Sequence, residues 1–225
     1  MTSNPHAVQS AEVTVQAGKV ALEGTLSVPD HAQGIVVFAH GSGSSRFSSR
    51  NRYVARVLNE GGLATLLFDL LTAQEHEIDV ITRELRFAIE LLSERMIATL
   101  DWLAGEAAVA GLSVGLFGAS TGAAAALFAA AARPGRVAAV VSRGGRPDLA
   151  MPALPRVRAP TLLIVGSLDL AVIEMNRAAQ NAIEAPCRMA IVEGATHLFE
   201  EPGTLEQVAV LARDWFLEQR TAPAQ

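Results

Sequence analysis

The sequence has a single cysteine, no excess of basic residues and no long apolar run. Cys187 is the only cysteine among 225 residues, which excludes a disulfide framework and any metal site built from cysteines. Its place in an apolar run indicates a small buried side chain, not a reactive thiol. Lys and Arg number 18 against 23 Asp and Glu, giving a formal net charge of −5. This balance argues against a nucleic-acid partner, which would require a basic stripe.

The chain also contains no segment typical of a secreted or membrane protein. Residues 1–30 show no basic start followed by an apolar core, so we expect no secretory signal and a cytoplasmic location. The longest apolar stretch, 122–132, is too short and too rich in alanine to span a bilayer. Half of the residues are hydrophobic and 18% are charged. We therefore expect one globular α/β domain over 1–225, with 1–10 flexible.

From residue 34 onward, short apolar runs alternate with segments of helical character. The runs predict buried strands at 34–39, 63–68, 114–117, 137–141, 161–165 and 187–192. Helices are predicted at 48–60, 83–103, 121–132, 172–183 and from about 202 to 219. Ahead of them, 11–16 and 20–28 alternate apolar and polar residues around Gly18, which predicts an antiparallel hairpin at a sheet edge. Segments 69–82 and 148–159 are predicted to be loops.

This order predicts an α/β fold with one open, mostly parallel sheet of seven or eight strands. Helix crossovers join parallel strands and cover both faces of such a sheet. Functional residues in these folds gather at the carboxyl ends of the strands. Residues that directly follow a predicted strand are therefore the first candidates for a functional site.

The segment 118–122, Gly-Ala-Ser-Thr-Gly, matches the pattern G-x-S-x-G between a predicted strand and a predicted helix. A strand that turns at once into a helix bends sharply, and the residue at the bend takes a strained backbone conformation. Gly118 and Gly122 remove side chains that would collide with neighbouring elements. The bend presents the Ser120 hydroxyl above the sheet. An ordinary strand-to-helix turn with an incidental serine remains the alternative.

Two further residues complete a catalytic triad at the same edge. Asp169 follows the strand at 161–165, and His197 follows the strand at 187–192. A serine hydroxyl is a weak nucleophile, so the histidine must take its proton and return it to the leaving group. The aspartate would orient the imidazole and stabilise the imidazolium. The order Ser120, Asp169, His197 is the one expected on this kind of sheet.

Each member of the triad has an alternative role. Asp169 could cap a turn. Glu174 and Glu193 are the nearest substitutes, but neither directly follows the right strand. His197 could be an ordinary loop histidine. His40 is a competing base, although a His-Gly pair at that place more often shapes a loop.

Acyl transfer also requires donors for the oxyanion of the transition state. The backbone N–H of Thr121, at the start of the helix, is one candidate. The other should come from the loop after the first buried strand, with Ser42 as the best candidate because Gly41 and Gly43 allow a close approach. The alternative is a nucleotide-binding glycine loop, but Arg46 stands where the third glycine of that motif belongs.

Four motifs together resemble the α/β-hydrolase superfamily, namely His40-Gly41-Ser42-Gly43, Gly118-Ala119-Ser120-Thr121-Gly122, Asp169 and Gly194-Ala195-Thr196-His197. The small size and the sequence from Gly194 to Pro202 most resemble the dienelactone hydrolase branch, over about residues 20–220. The resemblance implies Ser120 as nucleophile, Asp169 as acid, His197 as base, and ester hydrolysis without a cofactor or metal. Dienelactone hydrolases proper carry a cysteine at the elbow, where this chain has Ser120. The difference favours a general carboxylesterase over a lactone specialist.

Many members of that superfamily insert a helical cap between the strands predicted here at 137–141 and 161–165. Only about twenty residues separate these strands, so we expect no cap domain and an open cleft. Burial contributes about 0.8 kcal/mol per methylene, and an open cleft buries little of an acyl chain. Short or medium esters are therefore the expected substrates.

Arginines near the strand ends are candidates for holding an anionic substrate group. Arg143 and Arg146 follow the strand at 137–141. Arg46 and Arg50 follow Ser42 on the oxyanion side of the site. A guanidinium can bind a carboxylate through two hydrogen bonds. Ion pairs with Asp148 or a nearby glutamate are the alternative.

The sequence therefore predicts a serine hydrolase that cleaves a small ester, lactone or thioester through an acyl-enzyme. We expect no nucleic-acid or membrane partner and either a monomer or a homodimer. Two alternatives stay open. The chain could be a non-catalytic binder of small molecules, because a fold does not dictate function. It could also transfer the acyl group to an acceptor other than water, with the same residues.

Overall fold

Residues 7–220, the part of the chain that the computed structural model describes, contain eight strands and six α-helices. The strands are β1 (Val8–Ala17), β2 (Val20–Pro29), β3 (Ile35–Ala39), β4 (Ala64–Phe68), β5 (Val114–Ala119), β6 (Val137–Arg143), β7 (Thr161–Gly166) and β8 (Cys187–Val192). The helices are α1 (Ser49–Glu60), α2 (Ala73–Thr82), α3 (Ile89–Leu103), α4 (Thr121–Ala132), α5 (Leu170–Ala182) and α6 (Thr204–Gln219).

All eight strands form one sheet in the order β1-β2-β4-β3-β5-β6-β7-β8. β1 and β2 pair antiparallel, β2 pairs antiparallel with β4, and the remaining neighbours are parallel. The predicted hairpin at the sheet edge and the mostly parallel sheet are confirmed. Val8 pairs with Pro29, so residues 8–10 belong to β1 and the expectation of a flexible segment is wrong for them. Residues 1–6 lie outside the described chain.

Helices cover both faces of the sheet because its central strands are apolar throughout. One buried cluster lies between the sheet and helices α1 and α6, and a second lies under α3, α4 and the end of α5. Six of the nine buried residues of helix α4 are alanine. Small side chains let this helix lie close to the sheet, directly behind the turn that follows β5.

The structure corrects the prediction for 69–82, which contains helix α2 where a loop was expected. Thr72 and Glu75 form a capping box. The Glu75 N–H donates to Thr72 Oγ1 at 3.2 Å, and the Thr72 N–H donates to Glu75 Oε2 at 2.8 Å. Arg83 then ends α2 in a left-handed conformation, with φ of 60°. The following helix therefore begins at Ile89 and not at residue 83.

The segment between β6 and β7 contains only two short 3₁₀-helices, Pro147–Ala150 and Leu154–Arg156. The predicted absence of a cap domain is confirmed for the described chain. Strand order reverses between β3 and β5, because the connection from β3 runs to β4 on one side and β5 lies on the other. Sheets of this kind bind ligands at such a switch point. Among residues 7–220, no helix combines the length and apolarity needed to cross a bilayer.

Candidate active site

Ser120 lies at the turn between β5 and α4, beside the switch point of the sheet. Its backbone has φ of 50° and ψ of −122°, a conformation that costs about 1–3 kcal/mol in a residue with a side chain. The Ser120 N–H donates to the Arg143 carbonyl at 3.2 Å, and the Arg146 N–H donates to the Ser120 carbonyl at 3.0 Å. The strained conformation is thus held from both sides by the segment that follows β6.

Two glycines flanking Ser120 are required by close backbone contacts. A methyl group on Gly118 would lie 2.4 Å from Ala123 Cα, and one on Gly122 would lie 2.3 Å from the Ala39 carbonyl oxygen. Neither position accepts a side chain unless β5, α4 or β3 moves. The steric reason given for these glycines from the sequence therefore agrees with the structure.

The loop after β3 approaches Ser120 at Gly41. A methyl group on Gly41 would lie 3.1 Å from Ser120 Cβ, so the next residue, Ser42, is at the rim of the same turn. Within the described chain, neither the Ser42 N–H nor the Thr121 N–H donates to another residue. Two unused backbone donors therefore flank the serine.

Asp169 and His197 form a hydrogen-bonded pair on the adjoining strand ends. His197 Nδ1 and Asp169 Oδ2 are 2.6 Å apart. The Asp169 side chain keeps 16% of its surface exposed and the His197 side chain keeps 38%. Because the carboxylate can only accept, Nδ1 carries the proton in the neutral imidazole and Nε2 is left as the free acceptor.

The two loops that carry this pair are joined by backbone contacts. A methyl group on Gly166 would lie 2.3 Å from the Ala195 carbonyl oxygen, and the Leu168 N–H donates to that oxygen at 3.0 Å. The Gly194 N–H donates to Ser167 Oγ at 2.8 Å. These contacts fix the distance between Asp169 and His197 through the backbone.

His197 and Ser120 meet at Gly144, the residue after β6. A methyl group on Gly144 would lie 3.6 Å from His197 Cε1, while the preceding residue, Arg143, accepts the Ser120 N–H. The imidazole therefore borders the same short segment as the serine. Within residues 7–220 the Ser120 hydroxyl makes no hydrogen bond, including to His197.

His40, the competing base, has both ring nitrogens occupied. Nε2 accepts the Leu70 N–H at 3.0 Å, and Nδ1 is 3.0 Å from the Gly41 carbonyl oxygen, to which it must donate. Burial lowers the pKa of His40, since removal from water disfavours the charged ring. This neutral ring joins the ends of β3 and β4 and supports the loop that carries Ser42.

Three of the arginines predicted to bind an anionic substrate group differ in whether a carboxylate of the protein already pairs with them. Arg46 is paired with Asp69 and with Glu23, at 3.2 Å, so its charge is neutralised beside β2 and β4. Arg146 binds Asp148 through two hydrogen bonds of 2.8 and 2.7 Å, which was the alternative interpretation. Arg143 is 5% exposed and pairs with no carboxylate of the described chain. Arg143 alone therefore retains an unneutralised charge near Ser120.

Sequence reasoning missed the residues that support the histidine loop. The Thr196 hydroxyl donates to Glu201 Oε1 at 2.6 Å, and the Thr196 N–H donates to Glu201 Oε2 at 3.1 Å. The hydrogen bond from the Thr196 side chain lowers the pKa of Glu201. The spacing of a threonine and a glutamate five residues apart gives no recognised signal, so only the structure identifies this contact.

Outside this site, the Cys187 thiol and clusters of metal-binding side chains are the remaining candidates for reactive or metal-binding groups in residues 7–220. Burial raises the pKa of the Cys187 thiol to about 11, so the thiolate needed for nucleophilic attack is scarce at neutral pH. Among residues 7–220 there is no group of three or more His, Cys, Asp or Glu side chains able to hold a metal ion.

The sheet order, with its antiparallel hairpin at one edge and the strained serine directly after β5, is that of the α/β-hydrolase fold. The chain belongs to the dienelactone hydrolase family, with residues 22–216 matching that family. A dienelactone hydrolase from Anabaena variabilis, known from its crystal structure, is 58% identical, with a TM-score of 0.94 over 96% of this chain and all of that one.

The chain is also similar to proteins that carry other names. The esterase Est1E from Butyrivibrio proteoclasticus shares the fold, with 17% identity and a TM-score of 0.77 over 92% of this chain and 98% of that one. A curated relative from Mycobacterium tuberculosis, named as a candidate phosphoribosyl transferase, is 58% identical over 96% of this chain and 48% of its own length. The chain thus spans about half the length of the curated relatives it matches.

Proposed function

We propose that the protein hydrolyses small carboxylic esters or lactones through an acyl-enzyme formed on Ser120. The observation that carries this proposal is the 2.6 Å pair between His197 and Asp169, placed at the same sheet edge as a serine held at φ of 50°. A strained serine beside an imidazole with a free acceptor nitrogen is the arrangement that nucleophilic catalysis requires.

In the first step His197 Nε2 takes the Ser120 proton while Oγ attacks the carbonyl carbon of the ester. Asp169 holds the imidazole through Nδ1 and stabilises the positive charge that forms. The imidazolium then gives its proton to the leaving alcohol, and the acyl group remains on Ser120. In the second step His197 Nε2 takes a proton from water as the water oxygen attacks the acyl carbon. The bond to Ser120 Oγ then breaks, His197 returns the proton to Oγ, and the carboxylic acid leaves. Enzymes often complete the hydrogen bond between nucleophile and base only when substrate is bound.

The oxyanion formed in both steps needs donors near Ser120. The backbone N–H groups of Thr121 and Ser42 are free for this task within the described chain. Thr121 is the first residue of α4, where the helix dipole adds positive potential. A lost donor of this kind typically costs about 3–4 kcal/mol of transition-state stabilisation.

Acyl transfer to an alcohol, thiol or peroxide would use the same groups, and so would thioester cleavage. The phosphoribosyl transferase name belongs to relatives of which this chain matches about half. We do not extend that activity to this chain, because the matching residues are those of the dienelactone hydrolase family. A non-catalytic binder would have no need of an imidazole held by a carboxylate beside a strained serine.

The test is hydrolysis of para-nitrophenyl esters of graded acyl length by the wild type and by Ser120→Ala. We expect a rapid release of one equivalent of nitrophenol followed by slower turnover, which is the signature of an acyl-enzyme. Acetate and butyrate should be cleaved faster than long-chain esters. Ser120→Ala should retain its circular dichroism spectrum and lose the burst. A folded wild type without turnover on any ester or lactone would contradict the proposal.

A further inference from the structure

Residues 143–146, named here the bridging turn, follow β6 and lie between the strand ends that carry the proposed triad. In the sheet, β6 stands between β5, which leads to Ser120, and β7, which leads to Asp169. The Ser120 N–H donates to the Arg143 carbonyl at 3.2 Å, and the Arg146 N–H donates to the Ser120 carbonyl at 3.0 Å. The bridging turn therefore fixes the serine backbone on both sides.

The bridging turn also borders the proposed base. Gly144 has φ of 50°, and a methyl group there would lie 3.0 Å from the His197 carbonyl oxygen and 3.6 Å from His197 Cε1. The Gly144 N–H donates to the Ile164 carbonyl of β7 at 2.8 Å. A shift of the bridging turn would therefore change the distance between Ser120 and His197, and proton transfer requires that distance to be short.

Two successive glycines, Gly144 and Gly145, form the centre of the bridging turn. Glycine has more backbone freedom than any other residue and contributes no side chain that could pack. The position of the turn therefore depends on hydrogen bonds from its neighbours. Asn176 Nδ2 donates to the Gly145 carbonyl at 3.1 Å. Within residues 7–220, no other side chain donates to the backbone of the bridging turn.

Asn176 is fully buried in α5, the helix that begins directly after Asp169. The amide nitrogen has two hydrogens, and the second is directed to the Val172 carbonyl, one turn earlier, at 2.8 Å. Since both partners are carbonyl oxygens, the nitrogen and not the oxygen must face the bridging turn. Oδ1 is buried and accepts no hydrogen bond from residues 7–220. The side chain thus acts only as a donor.

Burying an amide oxygen without a donor is unfavourable, and a leucine of similar volume would not have that oxygen. The hydrogen bond to Gly145 is therefore what an asparagine adds at this place. Asn59, in α1, is a second buried asparagine, and its Nδ2 likewise donates to a carbonyl, that of Leu63 at 2.9 Å. Because Leu63 precedes β4, Asn59 lies at the opposite edge of the sheet from Ser120.

We propose that Asn176 is a positioning residue that holds the bridging turn, and through it Ser120, at the correct distance from His197. This inference rests on the proposed hydrolase function. The Asn176 side chain is buried and acts through the backbone of the turn. It joins the helix that follows Asp169 to the turn that fixes Ser120, so one amide links the positions of all three triad residues.

The experiment compares Asn176→Leu and Asn176→Ala with the matched substitutions Asn59→Leu and Asn59→Ala. Leucine removes the donor and keeps the volume, whereas alanine removes both. The measured quantities are kcat and KM for para-nitrophenyl acetate and the midpoint of urea unfolding. Active sites are counted from the nitrophenol burst, so that unfolded protein does not lower the measured kcat.

We expect kcat per active site to fall roughly 10- to 100-fold in both Asn176 variants, the loss typical of a displacement of about 1 Å at a site. KM should change by less than about threefold, because the groups that bind substrate remain. The Asn59 variants should lose stability and keep the wild-type kcat. A wild-type kcat in a folded Asn176 variant, or equal losses of kcat at the two positions, would overturn the inference and leave the hydrolase proposal standing.

Amide hydrogen exchange tests the same contact without any activity. Exchange at the Ser120 and Arg146 amides should be at least about tenfold faster in Asn176→Leu than in the wild type, and unchanged in Asn59→Leu. If Asn176→Leu does not fold, Asn176→Ala takes its place. Unchanged exchange at both amides would reject the role of Asn176. If the wild type cleaves no ester, the proposed hydrolase function fails, and the exchange rates still decide whether Asn176 holds the bridging turn.

Discussion

Two histidines at the same edge of the sheet show how position alone fails to identify a base. His40 follows β3 and His197 follows β8, so both lie at carboxyl ends of parallel strands. His40 is 8% exposed, and both of its nitrogens are used by backbone groups. His197 has one nitrogen held by Asp169 and keeps 38% of its side chain exposed.

The difference lies in which partners each ring has. A ring with two backbone partners gains stability by staying neutral and has no free nitrogen with which to accept a proton. A ring with one carboxylate partner is oriented, and its second nitrogen remains available. We therefore assign a structural role to His40 and propose a chemical role for His197.

The largest expected effect separates the two rings by activity. His197→Ala should lower kcat for para-nitrophenyl acetate by about 10⁴-fold or more, because the serine then has no base. The loss in kcat for the folded His40→Ala protein should be at least about a hundredfold smaller than that for His197→Ala. Steady-state kinetics on both purified variants measures the difference. Equal losses of kcat in equally folded His197→Ala and His40→Ala variants would contradict the assignment of different roles to the two histidines.

Asp169→Asn tests whether the carboxylate orients His197. An asparagine can donate to Nδ1 and so favours the wrong tautomer, and in serine proteases the same change costs about 10⁴-fold in kcat. We expect a loss of similar size here, with KM little changed. Glu193→Gln, which alters an exposed carboxylate that accepts from Ser167 Oγ at 3.3 Å, serves as the control and should stay close to wild type. A greater loss in the control than in Asp169→Asn would assign the acid elsewhere.

Gly166→Ala tests the backbone contact that sets the distance between Asp169 and His197. The new methyl group would lie 2.3 Å from the Ala195 carbonyl oxygen, so the two loops must separate. We expect a loss of about 1–3 kcal/mol in the free energy of unfolding and a clear fall in kcat. At Gly135, where a methyl group meets nothing within 4 Å, the same substitution should change neither. Urea unfolding and ester kinetics on both variants provide the measurements.

His40→Ala should destabilise the fold by about 2–4 kcal/mol, because the Leu70 N–H and the Gly41 carbonyl lose their partner and a cavity forms. Thermal unfolding of this variant beside His197→Ala is the measurement. We expect the unfolding midpoint to fall clearly in His40→Ala and little in His197→Ala. The reverse order would mean that the two roles are exchanged.

The smallest effect is a pH dependence of stability that comes from His40. Because its pKa is lowered in the folded state from the ordinary 6.5, the unfolded chain binds the proton more readily. The stability contributed by the neutral ring is complete above pH 6.5 and is lost as the pH falls through the folded-state value. Urea midpoints at about pH 7.5 and about pH 5.5 should differ more in the wild type than in His40→Ala. An equal shift in both proteins would exclude His40 as the source.

Much of the fold could be predicted because each buried strand is a short apolar run ended by a glycine or a polar turn. The shared position of Ser120, Asp169 and His197 at one edge of the sheet was predictable for the same reason, since the ends of parallel strands lie side by side; their catalytic roles stay a proposal. Helix α2 was missed although its signal was present, because the capping box of Thr72 and Glu75 lies in a segment whose acidic residues indicate a loop. A capping box of two residues is overlooked when a segment is assigned to loop from its amino-acid composition alone.

The surroundings of the arginines could not be predicted. Arg46 finds its partners on β2 and at the end of β4, elements that only folding brings together. The Arg143 side chain lies on the face of the sheet that α1 covers, and its Nη2 donates to Asn51 Oδ1. The first turn of α1 contains no acidic residue. These long-range contacts decide which arginine has a carboxylate partner and which has none. The spacing of residues in the sequence does not predict such contacts.

A nucleophilic serine at this site is tested most directly by labelling with a fluorophosphonate, which reacts preferentially with an activated serine hydroxyl. We expect one covalent adduct per chain, located at Ser120 by peptide mass spectrometry. The adduct should be absent in Ser120→Ala and formed much more slowly in His197→Ala. A folded wild-type protein that stays unlabelled, or that is labelled at another residue, would contradict a nucleophilic serine at this site.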